Sequence, residues 1–232
     1  MAIALVSGQN VSVSGTSNPT SAHFNNTVTV GNAILVAIVH NDNVQHKVTS
    51  VTDSAGSAYA SLGALYTANG LSMELWGTFN AISTGAATQT VQVLTYQTAD
   101  LISFIAQEFS GFTTTGTHFD AQANISSASA TSVTTGNITT NNASEILLAI
   151  GAQNNTNRPY TAGSGYSIIN QLGGTVGIAF EYQIISTSGS YNAAISIDIA
   201  NPLNLALFAI SSSAIGGGSA VSHNLTLLGV GS

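Results

Sequence analysis

Aromatic side chains beside amides are the first candidates for chemistry in this chain. Tyr160 and Tyr166 lie in a Gly-rich loop, and Asn157 comes just before them. An exposed aromatic ring can stack on the apolar face of a sugar, and an amide completes such a site with hydrogen bonds. These three residues predict a glycan contact. Trp76 lies in a strongly apolar strand, which is typical of a core residue.

Two carboxylates at matched places, Glu74 and Glu181, raise the alternative of a glycosidase. The repeat itself explains their matched places, because each acid occupies the same strand position in its half. There it would face solvent or a backbone donor. Ser110 and Ser164 lie outside any Gly-x-Ser-x-Gly sequence, which a hydrolase nucleophile elbow requires. We predict a protein that is not an enzyme.

Metal-ligand residues occur without a ligand spacing. His40 and His46 flank Asp42, and Asp120 with Asn124 offers oxygen atoms that calcium prefers. However, there is no His-x-x-x-His spacing and no Asp-x-Asp pair. The glycines at 216–218 precede neither a Lys nor a predicted helix, so they do not form a phosphate loop. We therefore predict no metal and no cofactor.

Charge excludes several partners. Charged residues make up 5% of the chain, and Lys47 and Arg158 are its two cations. Because binding to nucleic acid depends on several Lys or Arg contacts with phosphate, nucleic acid is not an expected partner.

No apolar run approaches the 18 or so residues that span a bilayer, and the N-terminus lacks the cationic start of a signal peptide, so we expect no membrane insertion. Cysteine is absent, which excludes a disulfide framework.

The chain repeats itself. Three elements recur in the same order at offsets of roughly 100 to 110 residues, a period too long for a solenoid and suited to a duplicated half-sandwich. Residues 34–38 return as 146–150, the strand around Glu74 returns around Glu181, and residues 101–106 return as 203–210.

Strand signals dominate the sequence. Stretches such as 90–95 and 194–199 alternate apolar with polar residues, which is typical of half-buried antiparallel strands. Continuous apolar runs at 33–39 and 146–150 predict central strands covered on both faces. Asn69-Gly70 predicts a tight hairpin, and Asp53 with Gly56 predicts a type I turn. The fold class is all-β, an antiparallel β-sandwich that is jelly-roll-like and built from two duplicated halves.

The predicted organisation is one sandwich domain followed by a distinct tail. The domain covers residues 1–215, with halves at about 28–113 and 140–213. The Ser- and Thr-rich stretch 126–140 joins the halves as a strand or a plain connector. Residues 216–232 form a Gly-rich hinge plus a C-terminal strand, which we expect to serve assembly or attachment by strand addition.

Several turn and packing motifs resemble a β-sandwich segment found in bacteriophage virion proteins and bacterial surface proteins. The resemblance covers roughly residues 30 to 213 and rests on motifs of low specificity. They are Val51-Thr52-Asp53-Ser54-Ala55-Gly56 with Tyr59, Glu74-Leu75-Trp76, Glu108-Phe109-Ser110-Gly111 and Ser186-Thr187-Ser188-Gly189-Ser190-Tyr191.

The resemblance implies a non-enzymatic structural virion protein on the exterior of the particle, as a capsid decoration, head-fibre or tail-associated subunit. The implied partners are other copies of the chain and major capsid or tail proteins, with host surface glycans as a further candidate. Two alternatives stay open. One is a lectin-like carbohydrate-binding module that uses Tyr160, Tyr166 and Asn157, and the other is a self-polymerising extracellular filament subunit that uses the C-terminal strand.

Overall fold

The computed structural model describes residues 2–41, 47–96 and 101–215, and these residues contain strands and turns but no helix. The first half of the chain forms β1 (Ala4–Gly15), β2 (Thr20–His23), β3 (Ala33–Asn41), β4 (Val48–Asp53), β5 (Ala60–Ala68), β6 (Leu71–Thr78), β7 (Thr90–Thr95) and β8 (Ile102–Ser110). The second half forms β9 (Phe119–Thr134), β10 (Ile138–Thr140), β11 (Glu145–Thr156), β12 (Thr161–Ala162), β13 (Ser167–Leu172), β14 (Gly174–Ile185), β15 (Gly189–Tyr191) and β16 (Ala194–Ser211).

Both halves arrange their strands in the same order. The large sheet of the first half runs β1-β8-β3-β6-β5, and that of the second half runs β9-β16-β11-β14-β13. A small sheet, β2-β7-β4, packs on the first large sheet, and β10-β15 with β12 takes the corresponding place in the second half. All of these pairings are antiparallel. In each half the first strand lies beside the eighth, and the second lies beside the seventh. This is the strand arrangement of a jelly roll. The predicted duplicated, antiparallel β-sandwich is confirmed.

A pseudo-twofold axis relates the two jelly rolls. β1 packs on β13 and β5 packs on β9, which is the same contact with the two halves exchanged. Likewise β3 packs on β14, and β6 packs on β11. Such self-complementary contacts are the mark of an isologous dimer interface. The chain is therefore built as a dimer of jelly rolls joined into one polypeptide.

Three hydrophobic clusters separate four layers of strands. The central cluster fills the space between the two large sheets and draws on both halves, for example Leu35, Phe109, Ile150 and Phe208. One outer cluster lies between the first large sheet and β2-β7-β4. The other lies between the second large sheet and the short strands β10, β12 and β15. Because both large sheets are covered on both faces, their strands need apolar residues at consecutive positions. The continuous runs at 33–39 and 146–150 are fully buried, as predicted.

Hydrogen bonds lock the hairpin tip of the first half onto the second half. Asn69 and Gly70 adopt the left-handed backbone conformation that a two-residue hairpin requires, with φ values of 51° and 76°. The Asn69 Nδ2 atom donates to Asn204 Oδ1 at 2.7 Å, and Asn204 Nδ2 donates to the Ala68 carbonyl at 3.1 Å. Asn204 is completely buried. It fixes the register of one jelly roll against the other.

The repeat extends beyond the predicted halves. Because β1 and β9 are counterparts at the edges of the two large sheets, each unit begins upstream of residues 28 and 140. The Ser- and Thr-rich stretch divides between two strands. Residues 126–134 belong to the edge strand β9, which pairs with β16 over most of its length, and residues 138–140 form β10. The alternating small polar residues of β9 suit a strand that is covered on one face only.

The last described residues return to the connector between the halves. The Thr113 N–H donates to the Ser212 carbonyl, and the Ile215 N–H donates to the Thr117 carbonyl. The predicted hinge and terminal strand at 216–232 lie outside the described residues.

Candidate functional site

The structure buries the two aromatic rings of the predicted glycan contact, which the prediction had taken as exposed. Tyr160 is 4% exposed and Tyr166 is 9% exposed, and both belong to the outer cluster of the second half. The Tyr166 hydroxyl donates to the Asn192 carbonyl at 3.1 Å. Desolvation raises the pKa of both phenols well above the ordinary value of 10. The outer layer of that half has few long strands, so these rings cover the outer face of its large sheet. Neither ring presents a free face to a sugar.

Asn157, the third predicted contact, is exposed but engaged. Its side chain lies against Gly173, where an added Cβ atom would stand 1.7 Å from Asn157 Oδ1. The amide therefore packs on the turn between β13 and β14. The structure does not bring the three predicted residues together as a binding face.

Most of the few carboxylates are internal hydrogen-bond acceptors. Two of them are hubs, because each accepts at least three hydrogen bonds. Asp53 accepts from the backbone N–H groups of Ala55 and Ser57 and from the side chains of Tyr59 and Gln89; Glu108 accepts from Gln9, Asn32 and the Thr29 N–H; Asp120 accepts from Asn141; and Glu145 accepts from Asn142. The Asp-x-x-Gly-x-x-Tyr motif at 53–59 therefore stabilises a turn through the Asp53 carboxylate.

Glu74 and Glu181 lie on opposite sides of the molecule. Glu74 pairs with Ile38 and faces the outer cluster of the first half, whereas Glu181 pairs with Ala149 and faces the outer cluster of the second half. Two large sheets and the central cluster separate them, which is more than the roughly 10 Å between stacked sheets. Glycosidase carboxylates stand about 5–9.5 Å apart across one bond. These two acids cannot act on one glycosidic bond.

The environments of the two acids differ. Glu74 Oε1 accepts from the Val48 N–H at 2.7 Å, and its Oε2 accepts from Trp76 Nε1 at 3.0 Å. Glu181 is fully buried, and neither of its oxygens has a close hydrogen-bond partner among the residues that the structure describes. Desolvation raises the pKa of Glu181 to about 8, and the nearby Gly163 backbone offsets only part of that rise. The backbone donor predicted at this position is present at Glu74.

The predicted metal candidates fall partly outside the described residues. Asp42 and His46 are among the residues that the structure leaves undescribed. His40 is buried, with its Nε2 atom 3.8 Å from Glu74 Oε1. In the described ranges, no three His, Asp or Glu side chains gather as a metal site would require. Asp120, the calcium candidate, uses both of its oxygens to hold the loop at Asn141.

Two of the surface depressions in the described part of the chain are candidate sites. The larger, of about 670 Å³, opens at the junction of the two halves beside Phe79, His118 and Phe119. The smaller is a polar groove of about 490 Å³ on the first half. It is lined by amides, hydroxyls and one imidazole, among them Asn10, Ser12, His23, Asn25 and Asn170. Sequence reasoning missed both sites, because their residues come from strands and connectors that are far apart along the chain.

Comparison with known proteins gives this chain no family. No protein-family model matches it, and no curated protein is significantly similar to it. Across the described residues there is no helix with the length and apolarity needed to cross a bilayer.

Proposed function

We propose that the protein is a non-enzymatic structural subunit on the exterior of a bacteriophage particle, as a capsid decoration, head-fibre or tail-associated protein. The observation that carries the proposal is the duplicated jelly roll around a shared core. Jelly rolls build viral capsid and lectin domains. This step is an analogy at the level of the fold, which hosts several functions.

The distribution of charge supports an assembly role. Most described carboxylates are used as acceptors within the molecule, and the two cations cannot form a basic patch. The exposed strand positions carry Ser, Thr, Asn and small apolar residues. Removing a charged group from water is costly, and the cores of protein interfaces are depleted in charged residues. An uncharged hydrogen-bonding surface therefore suits contact with further copies or with capsid and tail proteins.

The proposal is tested on particles. Virions released by the organism that encodes the chain are purified on a density gradient, and their proteins are quantified by mass spectrometry. We expect the chain to co-sediment with the major capsid protein in a fixed ratio, and antibody labelling to place it on the outside. Its absence from intact particles, together with a monomeric state in solution at high concentration, would contradict the proposal.

A second candidate function is carbohydrate binding at the polar groove. The many amides and hydroxyls that line the groove favour it. Asn25 and His23 are exposed there, and Asn170 donates to Asn10 and Ser12 at 3.1 Å, which holds the groove in shape. A glycan array with the wild-type chain, Asn25→Ala and the control Asn157→Ala tests it. Saturable binding that only Asn25→Ala abolishes is expected; equal binding by both variants would refute this placement.

A further inference from the structure

The larger depression is a mostly apolar cavity formed by both halves of the chain. The β5–β6 hairpin supplies Leu62, the segment after β6 supplies Phe79 and Ile82, and the connector before β9 supplies His118 while β9 supplies Phe119. Its volume of about 670 Å³ lies in the range of sites for drug-sized ligands. No charged side chain is among the described residues that line it. The walls therefore favour an uncharged, largely apolar occupant.

His118 lines the cavity and has one nitrogen free to accept a hydrogen bond. The imidazole is 1% exposed, and its Nδ1 atom lies 2.8 Å from the Ser211 carbonyl oxygen. Because a carbonyl oxygen only accepts, Nδ1 carries the hydrogen, and in the neutral ring Nε2 is then an acceptor. Among the described residues, that Nε2 atom has no hydrogen-bond partner. Buried acceptors are seldom left unpaired in folded proteins, which makes this atom a candidate acceptor for a donor from outside the chain.

Phe79 contacts both the His118 imidazole and the cavity. Its ring stacks on the His118 imidazole with centroids 3.9 Å apart, and it also lines the cavity. Phe79 is half-buried, and rotamer changes of side chains at a binding interface are common. A flat ring entering the cavity can replace part of the Phe79 contact and bring a donor to Nε2.

We propose that this cavity binds an uncharged aromatic small molecule that carries one hydrogen-bond donor. The ring lies against Leu62, Phe79 and Phe119, and the donor bonds to His118 Nε2. A sugar fits less well, because its many hydroxyl groups would lose water against the apolar walls without gaining partners. This inference goes beyond the proposed structural function and does not depend on it.

The test uses the full chain and two probes of nearly equal shape. 2-Naphthol offers a hydroxyl donor, and 2-methoxynaphthalene offers none. We expect saturable one-to-one binding of both by fluorescence titration, with 2-naphthol binding at least about tenfold more tightly, as one hydrogen bond to a buried acceptor allows. Equal affinities, or no saturable binding of either probe by the full chain, would overturn the proposal.

Two variants distinguish the hydrogen bond to His118 Nε2 from contact with the apolar walls of the cavity. His118→Asn places an amide donor where Nδ1 bonds to the Ser211 carbonyl and removes the Nε2 acceptor, so it should bind both probes equally. Ala60→Trp fills the cavity from an exposed strand position and should bind neither. Ser190→Trp, an exposed position on β15, is the matched control and should bind as the wild type does. Thermal unfolding checks that each variant is folded.

Residues 216–232 are the alternative occupant of the cavity. They follow Ile215, whose N–H donates to the carbonyl of Thr117, a residue that lines the cavity. If only a chain that ends at Ile215 binds 2-naphthol, the cavity is the seat of residues 216–232 and the proposal is wrong. If His118→Asn keeps the tenfold preference while remaining folded, the assignment of Nε2 is also wrong.

Discussion

Replacing Glu181 by Gln should stabilise the protein at pH 8 and leave its stability near pH 4.5 almost unchanged. Glu181 is buried in the outer cluster of the second half, where its carboxyl interacts electrostatically with the Tyr166 phenol. Burial raises the pKa of its carboxyl from 4.5 to about 8. The native protein therefore holds this side chain protonated at neutral pH, while the unfolded chain ionises it.

The magnitude follows from linkage between proton binding and folding. Below pH 4.5 both states are protonated, so the contribution of Glu181 to stability is complete there. Between pH 4.5 and 8 only the unfolded state ionises, and the free energy of unfolding falls by about 1.4 kcal/mol per pH unit. Above pH 8 both states are ionised and the loss stops. The total is about 5 kcal/mol, of which about 3 to 4 kcal/mol falls between pH 5 and 8.

Urea unfolding at pH 5, 6, 7 and 8, followed by circular dichroism, measures this slope. Glu145, whose pKa burial raises to about 7, adds a decline of the same sign and remains in all variants. Asp198→Asn removes an exposed carboxylate that is 3.4 Å from Arg158 and serves as the control for loss of a surface charge. A wild-type stability that stays flat or rises from pH 5 to 8, with Glu181→Gln indistinguishable from Asp198→Asn, would refute the reasoning.

Three further predictions concern packing and assembly. Asn204→Ala removes the two hydrogen bonds that this amide makes with Ala68 and Asn69 of the other half, and it should lower the free energy of unfolding by about 1–3 kcal/mol in urea titrations; an unchanged midpoint would contradict the role given to this amide. Gly77→Ala places a Cβ atom 2.6 Å from a leucine methyl on the neighbouring strand and should cost about 1–3 kcal/mol, whereas Gly136→Ala, with open space around it, should cost less than about 0.5 kcal/mol. If the chain is a filament subunit, removing residues 216–232 should abolish fibres seen by electron microscopy and leave a soluble monomer; fibres that persist would exclude that role for the tail.

The strands and turns could be predicted because local patterns determine them. The runs at 33–39 and 146–150 are apolar at every position because each large sheet is covered twice, and no helix pattern competes. The Asn69-Gly70 hairpin follows from the backbone conformation that these two residue types tolerate. The turn at Asp53 closes as predicted, with the Gly56 N–H donating to the Asp53 carbonyl at 3.2 Å.

The register of the repeat could not be predicted from letter similarity. The sequence match sets Ile38 against Ile150, but in the structure Glu74 pairs with Ile38 while Glu181 pairs with Ala149. Ile38 and Ala149 both face an outer cluster, whereas Ile150 faces the central one. A shift of one residue moves a strand's side chains to the other face. In a strand that is apolar on both faces, nothing in the sequence marks that shift.

The candidate sites depended on long-range contacts that the sequence does not show. Tyr160 and Tyr166 lie among glycines and polar residues, which suggests exposure, yet the outer layer of the second half needs their rings as cover. His118 has no chemical partner nearby in the chain. It becomes part of a cavity only because the connector crosses the β5–β6 hairpin and returns beside Ser211.

The central claim is that two jelly rolls fold as one body around a shared core. Native-state hydrogen exchange measured residue by residue tests it most directly, because amides that open in one cooperative unit share one free energy of exchange. The account predicts that the slowest amides of β3 and β8 and those of β11 and β16 exchange with the same free energy. If the central strands of one half exchange at a clearly lower free energy than those of the other, the shared core does not unite them and the claim is wrong.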